Sequence, residues 1–112
     1  MSKRMDDAMA QADRLWAKAM AVSPRFVEDY LTLCEQLLIE KLEVQGDEFR
    51  AHCQRHGLIR PALLHPNVWV SGPRAMNKLG WITPMGKVVP TQAHNHMPSV
   101  TLWHSLIFNI RS

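Results

Sequence analysis

After Glu48 the chain contains no aspartate and no glutamate. All ten acidic residues of the 112 (Asp6, Asp7, Asp13, Glu28, Asp29, Glu35, Glu40, Glu43, Asp47 and Glu48) lie at or before that position, and the last 63 residues have none. That stretch does hold seven cations, Arg50, Arg55, Arg60, Arg74, Lys78, Lys87 and Arg111, together with all six histidines. Six cations accompany the ten acids before residue 50, so a net charge of +3 divides into −4 and +7 along the chain. Lone charge runs are usually solvated surface. A long stretch without carboxylates instead suits a polyanion, because carboxylates would repel phosphates and oppose the release of counterions. Duplex DNA is the expected partner.

Other absences narrow the class. Cys34 and Cys53 are the only cysteines, too few for a disulfide framework in a chain with an ample apolar fraction, so both are expected as reduced core thiols. No apolar run approaches the roughly 18 residues of a membrane span. The opening Met-Ser-Lys-Arg-Met-Asp-Asp lacks the apolar segment of a secretion signal, and the cytoplasm is the expected location, that of a host cell if the chain is phage-encoded. Nucleophile elbow, phosphate-binding loop and paired catalytic carboxylates are all missing, so neither an enzyme nor a cofactor is expected. His52 and His56, with Cys53 between them, and His94 and His96 further on invite a metal reading. Structural zinc takes four ligands in paired motifs, which these do not form, and no metal is expected.

What is present, 46% hydrophobic and 21% charged residues, makes one globular core. Apolar residues at spacings of three and four (Met5, Ala8, Met9, Ala12, Leu15, Trp16, Ala19, Met20) predict a first helix over about 4–21. Ser23 and Pro24 open a second, with Val27, Tyr30, Leu31, Cys34, Leu37 and Leu38 inward. Leu42 to Val44 reads as a short strand. Gly46 and Asp47 open a third helix that buries Phe49 and Cys53 and stops at Gly57. A fourth begins at His65-Pro66-Asn67 and ends at Gly80. Two short strands follow, Trp81–Thr83 and Lys87–Val89, then a loop and a strand from Val100 to Phe108. In that last strand Val100, Leu102, Leu106 and Phe108 share one side, opposite Thr101 and Ser105.

At about 100° per residue, Ser71, Arg74 and Lys78 fall within roughly 40° of Asn67 on the fourth helix, whereas Trp69, Gly72, Pro73, Met76 and Leu79 fall on the packing side. Asn67, Ser71, Arg74 and Lys78 are therefore the expected DNA-contact face, since Arg or Lys reads guanine edges or neutralises phosphates and Asn can read adenine. Lys87, His94 and His96 extend it along the hairpin, with Gln92 and Asn95 beside them. Trp69 and Trp81 are expected in the core, and Trp103 on an exposed side where it could join an interface.

The run Gly46-Asp47-Glu48-Phe49-Arg50, then Gly57-Leu58, His65-Pro66-Asn67-Val68-Trp69, Gly80-Trp81-Ile82 and Val100-x-x-Trp103-x-Ser105-Leu106-Ile107 resembles small winged-helix proteins of tailed bacteriophages and prophages. The resemblance covers about residues 44–108. It implies a mainly α fold with a small β-hairpin, a winged helix-turn-helix over residues 23–112 with an extra helix over 1–22, and non-enzymatic DNA binding in replication, recombination or transcription control. In such a fold the last helix enters the major groove and the hairpin touches a neighbouring groove or the backbone. Two features depart from the family pattern. Gly72-Pro73 interrupts the recognition helix, where a proline costs about 3 kcal/mol unless the helix kinks, and the wing has no arginine. Its charge then depends on histidines, which titrate near about 6.5. The alternative is a winged-helix adaptor that engages a host or phage protein. The first helix either completes the core or offers its Met-rich face to a second copy or a protein partner.

Overall fold

The computed structural model describes residues 3–89 and 99–110. The Val22-Ser23-Pro24 break divides the N-terminal region into α1 (Lys3–Val22) and α2 (Pro24–Glu40), with Pro24 in the first turn of α2, where its missing N–H is no loss. β1 (Glu43–Gln45) leads directly into α3 (Gly46–Arg55). Glu48 holds that junction: its Oε1 accepts the backbone N–H of Gln45 at 3.0 Å and its Oε2 takes the Lys41 ammonium at 2.6 Å. Gly57, at a φ of +83°, turns the chain out of α3. A connection without regular structure reaches α4 (Val68–Lys78), which Gly80 terminates at a φ of +82°.

The hairpin is simpler than expected. The two short strands read at 81–83 and 87–89 are a single β2 (Ile82–Val88) with an irregularity between Pro84 and Lys87. β3 (Val100–Ser105) lies between its neighbours in an antiparallel sheet of order β1-β3-β2. It stops at Ser105, short of Phe108, and its phase is opposite to the expected one at the end. Ser105 points inward, 2% exposed, and donates to the Leu38 carbonyl at 2.7 Å, while Leu106 and Phe108 are exposed. Continuing the alternation beyond the strand's end misplaced them.

One core joins the elements: Trp16 and Ala19 of α1, Tyr30, Cys34 and Leu38 of α2, Val44 of β1, Phe49 and Cys53 of α3, Val68, Trp69 and Met76 of α4, and Ile82 of β2, with Trp103 of β3 packed against it. Cys34 and Cys53 are free thiols whose sulfurs lie 3.9 Å apart, and burial pushes the Cys34 pKa up. α1 therefore contributes to the same core as the rest of the chain, packing chiefly along α4. No helix among the described residues is long and apolar enough to cross a membrane.

Candidate nucleic-acid interface

Pro73 sits in the middle of α4, and the helix is continuous through it. Proline cannot donate the amide bond that the carbonyl of Trp69, four residues back, would normally receive. The Tyr30 hydroxyl supplies it instead, donating to the Trp69 carbonyl at 3.1 Å from a fully buried position on α2. Gly72 makes room for the tyrosine. A Cβ at that position would lie 2.2 Å from the Tyr30 oxygen and 2.4 Å from its ring, closer than any contact a side chain can tolerate. Trp16 and Trp69 flank the same ring, at centroid distances of 5.5 and 5.9 Å. The Gly72-Pro73 pair is thus an accommodation to Tyr30, and burial pushes the phenol pKa well up, so that the hydroxyl stays a donor.

The packing side of α4 holds Trp69, Gly72, Pro73 and Met76, all buried as expected, but Leu79 at the helix end is 55% exposed. Ser71 is a correction to the expected contact face. It is 1% exposed and its hydroxyl is spent on the Val68 carbonyl at 2.7 Å, because α1 lies along that flank of α4. The exposed arc consists of Asn67, Val70, Asn77 and Lys78, with Arg74 partly covered at its edge. Asn67 precedes the helix, its N–H donating to His65 Nδ1 at 3.0 Å. Asn77 braces the start of β2 through a 2.7 Å bond from Nδ2 to the Ile82 carbonyl.

Arg74 and Lys78 do come together, but on a carboxylate. Asp13 of α1 accepts Arg74 Nε at 2.8 Å and Lys78 Nζ at 3.0 Å on one oxygen, and Arg74 Nη2 at 3.2 Å on the other. Hydrogen bonds from Arg74 and then Lys78 hold the Asp13 carboxyl at a pKa of about 2, and Arg74 is pushed up in return. Sequence segregation of charge is therefore not spatial segregation: an acid from the N-terminal half sits against the carboxylate-free half. Asp13 lies three residues before Trp16, beside the buried stripe of α1. That spacing was the available signal for an acid at a helix–helix seam.

The other cations of residues 50–89 lie on α3, on the connection before α4 and on β2. Arg50 is exposed, with its guanidinium 5.7 Å from the Trp69 ring centroid. It lines an open groove with Gln54, Ile59, Arg60 and Trp69. Arg60 is partly committed, donating to the Pro61 and Leu64 carbonyls. Arg55 is exposed on α3. Lys87 is exposed on β2, its Nζ donating to Thr101 Oγ1 at 2.9 Å. The wing residues Gln92, His94, Asn95 and His96 lie outside the described residues. Trp81 and Trp103 are both half-buried against the core, so Trp103 is less available than its strand position implied. His52 and His56 stack at a ring distance of 4.4 Å, and among the described residues no group of three or more His, Cys, Asp or Glu is placed to hold a metal ion.

No protein-family model matches this chain, and no curated protein and no solved structure is found similar to it.

Proposed function

We propose that the chain is a non-enzymatic winged-helix protein that binds duplex DNA, of the bacteriophage type it resembles in sequence. The observation that carries this reading is the surface around α4: Asn67, Val70, Asn77 and Lys78 exposed on one helix, Lys87 on the adjoining hairpin, and no carboxylate contributed by residues 50–112. The element order α2-β1-α3-α4-β2-β3 and the sheet order β1-β3-β2 support a winged helix, with α4 offered to the major groove and the hairpin to an adjacent one. Arg50 and Arg55 on α3 are further exposed cations available to backbone phosphates.

The test is fluorescence anisotropy with a labelled duplex across a salt series. Three to five neutralised phosphates predict a log–log slope of roughly −3 to −4.5, at about −0.9 per phosphate. Absence of binding by the folded chain at about 50 mM salt rejects the reading. The second reading, a protein–protein adaptor, draws on the burial of Ser71, the commitment of Arg74 and Lys78 to Asp13, and the exposed Ile59, Leu63 and Val70. An apolar, salt-insensitive partner interface would favour it.

A further inference from the structure

We infer that the Asp13 carboxylate is an intramolecular occupant of the anion site formed by Arg74 and Lys78, and that a DNA phosphate binds there by displacing it. The proposal rests on the DNA-binding reading and adds its regulation. Asp13 meets Arg74 as a phosphate would: two oxygens against Nε and Nη2, with the Lys78 ammonium closing the third side. All three side chains are open to solvent, at 28% for Arg74, 56% for Lys78 and 39% for Asp13, so an incoming anion reaches the same donors. Ion pairs this exposed are held weakly and exchange readily.

The exchange is one of side chains only. α1 does not swing away, because Trp16 and Ala19 anchor it in the core at 7% and 0% exposure. The carboxyl stays ionised at any pH where the protein works, given its pKa of about 2, so acid is not the release signal; a competing polyanion is. While Asp13 is in place, two cations present a net charge of only one to an approaching duplex. The seam thereby sets the threshold at which α4 engages a duplex.

The experiment compares Asp13→Asn with the full chain, and Asp13→Asn combined with Arg74→Ala and Lys78→Ala with the Arg74→Ala/Lys78→Ala double variant, on one labelled duplex over a salt series. Asp13→Asn should bind about tenfold tighter or more near 100 mM salt, with a slope close to that of the parent because the same phosphates are neutralised, while the melting temperature stays near that of the parent. In the Arg74→Ala/Lys78→Ala background the same substitution should give little or no gain over the double variant. An equal gain from Asp13→Asn in the Arg74→Ala/Lys78→Ala background, measured against that double variant, would reflect net charge alone and overturns the proposal, as does an unchanged affinity for Asp13→Asn when the parent binds DNA. Binding by neither chain at low salt instead removes the DNA-binding reading, and this inference with it. A readout independent of any variant is the Arg74 Nε–H resonance of the parent. It should shift on titration with the duplex, and a resonance that stays in place while DNA binds elsewhere also overturns the proposal.

Discussion

Tyr30 carries more of the architecture than its single hydrogen bond indicates. Its hydroxyl is the substitute donor for a carbonyl that Pro73 cannot serve, so Tyr30→Phe should leave the Trp69 oxygen buried and unsatisfied, at about 1–3 kcal/mol in urea denaturation. The check is a double variant. Pro73→Ala restores an amide to α4 four residues after Trp69, and in that background Tyr30→Phe should cost measurably less; equal costs in both backgrounds would show that the tyrosine does not act through that carbonyl. Among the histidines, His52 is held below its ordinary pKa of 6.5 by burial, with repulsion from His56 and Arg55 added, against the pull of Glu40. The folded chain then favours neutral imidazole. Its contribution is complete above about pH 6.5 and is lost as acid drops below that value, because the unfolded chain takes up the proton first. Melting temperatures measured from pH 7.5 down to 5 should fall, and His52→Gln should flatten the fall.

At the scale of elements, α4 shows how far periodicity reads. The projection placed Trp69 and Met76 correctly, and both are 4% exposed or less, so Trp69→Ala or Met76→Ala should each cost about 2–5 kcal/mol and lower the melting temperature. A melt of Trp69→Ala that matches the parent would contradict the packing of α4. The same projection failed at Ser71 because a helical wheel knows only one partner surface. α4 has two, the core beneath it and α1 along its flank, and the second is set by residues some sixty positions away. Tyr30 was read as inward, but its bond to the Trp69 carbonyl was not legible for the same reason, since that partner is 39 residues distant. The short strand, read at 42–44 and found at 43–45, the turns at Gly57 and Gly80 and the inward Phe49 and Cys53 were legible, because each follows from local chemistry.

For the whole molecule, the most legible property was the run without carboxylates, and the least legible was where the remaining carboxylates would go. Only the packing of α1 against α4 brings Asp13 to Arg74, and no local rule foretells that contact. This packing also has a consequence for synthesis. α1 leaves the ribosome well before α4, and Arg74 is translated 61 positions after the Asp13 it pairs with. At about 5–20 residues per second, the flank of α1 that carries Asp13 waits several seconds for α4, although Trp16 can already meet Tyr30 of α2. During that interval the α4-facing flank of α1 stays uncovered, and a slowed ribosome would lengthen its exposure.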